Sequence, residues 1–365
     1  MKYFTLLFTA FLLTSCTPTT SVKLSSGKTS RVEIPPGTVK INDNLFADDS
    51  EITNVAYQEY LYWVERIYTK RSASYLNALP NYSIGYSLKN EAVLSVSGSS
   101  WVGFETKFDE THFQNMERSD LPCVGLSYEQ ALAYSTWRTN MVAEVILNKK
   151  GWIKTYNHSD KDTVSLPKPA TFFTIDRYKA GGFSWIIKQE DIALPIYTLP
   201  TNEEWESLAK TDSTSVYGID STNNKIKQAI AKKQRLLVTK ETCLSAKNDS
   251  LKKVNKRFTS FFISTLESND NYIENKHGLY HVVGNVAEMI NDKGFCKGGS
   301  WHDPLAKCKI TEKQPFTSPN AYTGFRNVCH FEMVEAKKLN KKENIDKKEK
   351  PDKAEKGAKA EPVKK

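Results

Sequence analysis

The segment 199–206, Leu-Pro-Thr-Asn-Glu-Glu-Trp-Glu, contains a complete helix start. Thr201 is a favourable N-cap, and Glu204 three residues later completes a capping box, in which each side chain accepts a backbone N–H from the other residue. The apolar face that follows consists of Trp205, Leu208 and Ala209. We therefore predict a short helix that begins after Thr201 and packs through its tryptophan.

Two further helices are predicted nearer the N-terminus. The first has Thr53 or Asn54 as its N-cap, and its apolar residues recur at helical spacing, at Ala56, Tyr60, Trp63 and Ile67. The second opens at Ser127, which forms another capping box with Gln130, and it is closed by Gly151. We expect its buried face to consist of Ala133, Trp137 and Met141.

The rest of the central sequence favours short strands and long connections. A strand near 32–34, a Pro-Pro-Gly turn and a second strand near 38–41 are predicted from β-branched residues on both sides of a turn. Three stretches, roughly 70–120, 152–195 and 212–276, lack a clear periodicity. Such long irregular segments indicate a loop-dominated fold with insertions. Since no Pro/Gly/Ser-rich linker interrupts residues 31–335, we expect one domain there.

The N-terminal residues predict export. Lys2 precedes a short apolar run at 4–13, and Leu-Thr-Ser then leads to Cys16. These features are typical of a secretory signal, and the run is shorter than the roughly 20 residues that span a bilayer. The segment is similar to a bacterial lipobox, so we predict a signal peptide at 1–15 and a lipid on Cys16; the alternative is a plain signal peptide. Residues 16–30, rich in Thr and Ser, are expected to form a flexible tether.

The C-terminal residues 336–365 hold twelve Lys and six Asp or Glu, a net charge of +6 out of +9 for the chain. This segment has almost no apolar residues, so we expect it to be disordered. Because the excess charge lies in this tail and the protein is expected to be exported, we exclude nucleic acid as a partner. The tail is either a solvated spacer or a contact to an anionic lipid or cell-wall surface.

The cysteines give no metal-binding pattern. Five follow Cys16, an odd number, and none forms a Cys-x-x-Cys pair: Cys123, Cys243, Cys296, Cys308 and Cys329. An exported protein can form disulfides, but an odd count leaves at least one of these without a partner in the chain.

Four segments, in chain order, resemble motifs of the formylglycine-generating, or sulfatase-modifying, enzyme family. The first is Glu-Ile-Thr-Asn at 51–54, and the second is Val-Gly-Leu-Ser-Tyr at 124–128 with the helix after it. The third is 199–206. The fourth combines Gly-Leu-Tyr at 278–280 and the residues up to Glu288, Lys-Gly-Gly-Ser-Trp at 297–301, and Gly-Phe-Arg at 324–326. The resemblance implies that family's loop-rich, C-type-lectin-related α+β fold.

The resemblance also implies a place for copper. In the enzymes, two cysteines after the Gly-Gly-Ser turn bind Cu(I), which activates oxygen to oxidise a substrate cysteine to formylglycine. Counting from Ser300, the first position is Asp303 and the second is Cys308. Because Cu(I) prefers thiolates and a carboxylate is a hard ligand, we expect no copper. Ser300, Asp303 and Cys308 remain the candidate catalytic residues, with Cys308 active only if the site is.

A calcium loop of the family corresponds to residues 278–288. There, the resemblance implies two backbone carbonyls, at Gly284 and Val286, and a side-chain ligand at Glu288. The second side-chain ligand of the family is replaced by His281, and calcium prefers oxygen. We therefore retain a candidate calcium site that has lost one ligand.

The residues also offer two other types of candidate site. One is a mixed metal site of His281, Glu288, His302 and Cys308, and the other is a thiol nucleophile in which a histidine activates Cys308. Neither spacing matches a known arrangement. The family resemblance also implies a disulfide, because a pair of cysteines near these strands is bridged there; the corresponding pair here is Cys123 and Cys329.

Two functional classes follow. The first is a non-catalytic lipoprotein, anchored through Cys16, that serves as a structural or binding component of a cell-envelope assembly, similar to gliding-motility and type IX secretion lipoproteins of Bacteroidota. Its expected partners are other envelope proteins, its expected place is the periplasmic face of the outer membrane, and the cleft at Ser300, Trp301 and Asp303 is expected to bind a peptide or glycan. The second class is a protein-thiol oxidase with an altered copper site.

Overall fold

The computed structural model describes residues 18–81, 113, 121–154, 172–210, 275–282, 284–300, 303 and 305–336. These residues form a single α+β domain, as predicted. Its α-helices are α1 Asn54–Tyr68, α2 Ala73–Ala78, α3 Tyr128–Lys149, α4 Ile175–Ala180 and α5 Asn202–Ala209. A 3₁₀ turn covers Leu305–Cys308. No helix in the described ranges is both long and apolar enough to cross a membrane.

The strands form three small sheets. Strands β1 Thr19–Lys23 and β2 Thr29–Glu33 make an antiparallel hairpin. A four-stranded sheet has the order β3-β4-β10-β5, with β3 Thr38–Lys40, β4 Phe46–Asp48, β10 Val328–Val334 and β5 Ile192–Thr198. The other four-stranded sheet has the order β8-β7-β6-β9, with β8 Gln314–Pro315, β7 Phe295–Lys297, β6 Ala287–Met289 and β9 Thr323–Gly324. Because its strands are shorter, we call it the smaller sheet and the first the larger sheet.

The prediction of a flexible tether over 16–30 is wrong from residue 19 onward. Val22 and Leu24 are 1% and 3% exposed, and they pack with Val32 against Phe46 and Phe331 of the larger sheet. Alternate residues of β1 face that sheet, and the hairpin stays in place because its inward side chains are apolar. The strands around the Pro-Pro-Gly turn do exist. They do not pair with each other, since β2 pairs with β1 and β3 pairs with β4.

The three predicted helix starts are confirmed. Thr53, Ser127 and Thr201 each cap a helix, and both predicted capping boxes are formed. The predicted buried face of α3 is only partly confirmed: Trp137 is half-buried and packs against the core, whereas Ala133 is exposed and Met141 only half-buried. The helix packs against β5 through a different face, made of Ala131, Tyr134, Ser135, Thr139, Ala143 and Leu147.

The implied Cys123–Cys329 disulfide is not formed. Cys123 packs in the core between α1, α3 and the smaller sheet, whereas Cys329 lies under the β1–β2 hairpin. The two thiols therefore belong to separate apolar clusters. Burial raises the pKa of both thiols, which keeps them protonated and unreactive.

Candidate functional site

Glu288 lies at the centre of the smaller sheet and is 1% exposed. Its carboxylate accepts hydrogen bonds from Trp205 Nε1 at 2.7 Å and from Arg326 Nε and Nη2 at 3.0 and 2.8 Å. Strand β6 holds the carboxylate, α5 supplies the indole and the segment before β10 supplies the guanidinium. Because both oxygens are used by protein donors and the charge is neutralised by Arg326, Glu288 is a structural anion.

The loop before β6 is closed by the same network. Arg326 donates through Nη2 to the Tyr280 carbonyl at 2.6 Å and through Nη1 to the Asp48 carbonyl at 2.8 Å. Asn285, with φ of 56°, donates through Nδ2 to Glu51 Oε1 at 3.2 Å. A guanidinium therefore occupies the position beside Glu288 that a cation would need.

The candidate calcium site does not fit this arrangement. Glu288, its one remaining side-chain ligand, is committed to Arg326 and Trp205. His281, at the lost ligand position, is buried and has φ of 55°. Gly284 and Val286 are in place as backbone, but two carbonyls without a free carboxylate are a poor calcium set. Within the described residues, no group of three or more His, Cys, Asp or Glu side chains is placed to hold a metal.

The Gly-Gly turn brings Cys308 and Trp205 close to the backbone. Gly299 has φ of 65°, and a Cβ atom there would lie 2.5 Å from Cys308 Sγ. Gly298 has φ of 89°, and its Cβ would lie 3.1 Å from the Trp205 ring. Both positions thus require glycine, for conformation and for space. Cys308 is 0% exposed and fills the room that Gly299 leaves, so its thiol is a packing group.

Asp303, at the first cysteine position, is used as a turn cap. Its Oδ2 accepts from the Ser300 backbone N–H at 3.0 Å and from the Ser300 hydroxyl at 2.6 Å. The Asp303 N–H donates back to the Ser300 carbonyl at 3.1 Å. This closed turn replaces the thiolate that Cu(I) would need, so the residues present do not fit a copper site.

Cys296 of β7 is the other thiol near this turn. Burial, with the neighbouring Asp303 carboxylate, raises its pKa to about 12. A thiol with a pKa this high is protonated and a weak nucleophile at neutral pH. The remaining predicted positions, Trp301, His302 and Cys16, lie outside the described residues, as does the Lys-rich tail from 337 onward.

A groove of about 590 Å³ runs along α3. Its walls are the Pro35-Pro36-Gly37 turn, the segment that leads into α1, and the face of α3 that carries Trp137, Met141 and Val145. The three α3 residues that face solvent here are apolar, which explains why the sequence suggested this face as a core face. The floor and walls are therefore apolar over most of the groove.

Four acidic residues are among those that line the groove: Asp48, Asp49, Glu51 and Glu59. Arg138 pairs with Asp48 at 2.8 Å and lies over the Tyr197 ring. Asp48 Oδ1 and Glu51 Oε2 are buried, and neither has a hydrogen-bond partner among the described residues. Burial raises the pKa of Glu51 to about 8, against the attraction of Arg326. Buried oxygens without donors are costly unless a ligand supplies one.

The groove carboxylates were missed from the sequence as site residues. In the sequence, Glu51 stands out only as part of a family motif, and Asp48 and Asp49 match no motif. The available signal was the run Asp-Asp-Ser-Glu at 48–51 directly before a helix cap. That run does not distinguish solvated acids from buried ones, because burial here depends on Arg138 and Arg326, which are distant in sequence.

Comparison with known proteins agrees with the motifs. A comparison with curated proteins found no significant match. Among solved structures, Treponema denticola variable protein 1 is similar, with a TM-score of 0.36 and 14% identity over 86% of this chain and 99% of that one. The model of the sulfatase-modifying factor enzyme 1-like domain matches residues 15–331. This match covers most of the chain, and the chain therefore belongs to the sulfatase-modifying factor enzyme 1-like domain family.

Proposed function

We propose that this protein is a non-catalytic, lipid-anchored member of its family that binds a partner in the cell envelope. The observation that carries the proposal is the closed turn at Asp303, whose carboxylate caps Ser300 at the position where a reactive site would need a second thiolate. Cys308 is fully buried against Gly299 and cannot reach a substrate without rearrangement. In the part of the chain that the structure describes, Asp303 and Cys308 are therefore used for packing and capping.

The groove along α3 is the binding surface that we assign to this function. Its apolar walls suit an extended peptide segment with a large apolar side chain. Its acidic residues Asp49 and Glu59 suit a basic side chain, and a donor that reached Asp48 Oδ1 would remove the cost of leaving that oxygen without one. Lys149 and Arg138, the cations at the groove, are already paired with Glu33 and Asp48. An added positive charge is therefore favoured there.

The place of action follows from the export signal and Cys16. We propose that the mature chain is held at the periplasmic face of the outer membrane and that its partner belongs to an envelope assembly of the gliding or type IX secretion kind. Residues after Cys16, Thr-Pro-Thr-Thr-Ser, carry no acidic cluster of the sort that resembles a surface-export signal in Bacteroidota. Protease treatment of whole cells should leave the domain intact.

The binding assignment is tested by site-specific photo-crosslinking in the native host. A photoreactive phenylalanine is placed at Met141, inside the groove, and at Leu76, an exposed apolar residue of α2 outside it. We expect a discrete adduct with an envelope protein from position 141 and none from position 76. Equal adducts from both positions, or none from either, would contradict the groove as a binding surface.

A second candidate function, an oxidase of protein thiols with an altered site, would require Cys308 to become accessible. The exposure of Cys308, 0%, and the capped Asp303 turn argue against it. An assay of peptide-cysteine oxidation, with Cys308→Ala as the matched variant, distinguishes the two functions.

A further inference from the structure

The two ends of the described chain come to one end of the fold. At the N-terminal side, the Pro18 carbonyl accepts from the Ile34 N–H at 3.0 Å, and the neighbouring Glu33 carboxylate lies 3.6 Å from Lys149 Nζ, in the last turn of α3. At the C-terminal side, β10 runs antiparallel beside β5 as far as Ile192, and the Ala336 N–H then donates to Asp191 Oδ1 at 2.9 Å.

A basic and aromatic patch lies at this same end. Trp152 follows α3, and its carbonyl accepts from the N–H groups of Ile187 and Lys188 at 2.8 and 2.9 Å. The ammonium groups of Lys150 and Lys188 lie 5.5 and 5.1 Å from the centre of the Trp152 ring. Ile187 is 59% exposed, more than any other large apolar side chain among the described residues. We call Lys150, Trp152, Ile187 and Lys188 the basal patch.

We propose that the basal patch rests on a membrane surface that contains anionic phospholipid, and that it sets the orientation of the domain on the membrane. The proposal rests on the lipid anchor at Cys16 proposed above. Only Thr17 separates Cys16 from Pro18, so the two Cα atoms lie within about 7 Å of each other. Because the hairpin that begins at Thr19 is packed into the fold, the anchor holds this end of the domain close to the bilayer.

The side chains of the patch match the membrane interface chemically. Tryptophan and an exposed aliphatic side chain favour the headgroup region, and lysines beside them pair with anionic phosphates. The acids at this end are Glu190, which pairs with Lys188, Glu33, which pairs with Lys149, and the neighbouring Asp191 and Glu335, of which Asp191 accepts from the Ala336 N–H. Lys150 and the exposed Lys154 pair with no carboxylate in the described part of the chain.

The test uses the full mature chain without its lipid, made with Cys16→Ser, and vesicles of phosphatidylcholine with or without about a third of phosphatidylglycerol. We expect binding only to the anionic vesicles. The double change Lys150→Gln and Lys188→Gln should weaken that binding about 30-fold, since each lysine near an anionic surface contributes about fivefold. Ile187→Ser should weaken it about threefold to tenfold, and circular dichroism should show both variants folded.

The matched control is Lys293→Gln with Lys313→Gln. These lysines also lie over aromatic rings, of Tyr128 and Phe295, but at the opposite end of α3, about 30 Å away along a helix of 22 residues. This control removes the same net charge and should change binding less than threefold. Equal losses in both double variants would mean that net charge alone attracts the protein, and would overturn the proposal. Binding to purified cell-wall sacculi without binding to anionic vesicles would also overturn it.

Whether Cys16 carries a lipid is measured in a separate experiment. Mass spectrometry of the N-terminal peptide from the native host shows whether Cys16 carries lipid, whereas the vesicle assay uses a chain without lipid. A lipid-bearing Cys16 with no patch-dependent vesicle binding would refute the orientation alone. Patch-dependent binding with an unmodified Cys16 would refute the anchor and leave the patch as a surface contact.

Discussion

Two buried carboxyl groups near Arg326, Glu288 and Glu51, differ in how completely the protein satisfies their oxygens. Glu288 accepts from Arg326 and Trp205 with both oxygens and is neutralised within the protein. Glu51 is 2% exposed, accepts through one oxygen from Asn285, and has no donor for the other among the residues that the structure describes. Glu288 therefore stabilises the fold through completed hydrogen bonds, whereas Glu51 retains an unused acceptor.

The largest effect on stability is expected from Arg326→Met, which removes the cation that neutralises Glu288. Glu288 would then be left charged and buried without its partner, and breaking a buried pair in this way costs about 3–5 kcal/mol. Urea denaturation should show that loss in the free energy of unfolding. The double variant Arg326→Met with Glu288→Gln also removes the unpaired charge of Glu288 and should recover part of the lost stability. A loss below about 1 kcal/mol in the single variant would show that the network is not structural.

A pH-dependent loss of stability is expected from Glu51. Since its folded pKa is raised to about 8 from an ordinary value of 4.5, the folded state holds a proton that the unfolded chain releases. The stability from this group is complete below about pH 4.5 and is lost as pH rises through 8. Glu144, whose pKa burial raises to about 7, acts in the same direction.

Replacement of Glu51 with Gln should therefore flatten part of this pH dependence. We expect Glu51→Gln to be more stable than the wild type by about 1–3 kcal/mol at pH 8 and nearly equal to it at pH 5. Thermal unfolding at the two pH values measures the difference, and Glu59→Gln, at an exposed part of the groove, is the matched control. A parallel pH profile for the wild type and Glu51→Gln would mean that Glu51 is not proton-bearing in the fold.

The smallest effect is expected at the Asp303 turn. Asp303→Ala removes an acceptor for the Ser300 N–H and hydroxyl, so it should cost about 1–2 kcal/mol. Asp303→Asn keeps an oxygen acceptor and should cost less than half as much. Chemical denaturation of both variants gives the comparison. No destabilisation by Asp303→Ala would remove the argument that this residue has become a structural cap.

The sequence predicted those parts of the molecule that depend on local rules. Helix caps at Thr53, Ser127 and Thr201 depend on side chains within three residues, and all three were confirmed. The α+β fold was likewise confirmed, from motifs that recur in chain order. The short strand β1 was missed because a Thr/Ser-rich composition is typical both of tethers and of strands that bury every second residue.

The parts that could not be predicted depend on contacts across long sequence separations. The buried face of α3 was misjudged because Trp137 and Met141 line a groove, and nothing within the helix marks that difference. The loss of the copper ligand at Asp303 was visible from the sequence, but its use as a cap for Ser300 was not. The Glu288–Arg326 pair joins residues 38 apart, and the basal patch joins the end of α3 to residues 187 and 188.

The most direct test of the central claim is an activity assay on the reduced, unlipidated mature chain. The protein is incubated with Cu(I), oxygen and a Cys-x-Pro-x-Arg peptide, and conversion of the peptide cysteine to formylglycine is followed by mass spectrometry, with Cys308→Ala as the matched variant. We predict no turnover by either protein, because Asp303 is a cap and Cys308 is buried. Multiple turnovers by the wild type that are abolished in Cys308→Ala would contradict the account and establish the oxidase.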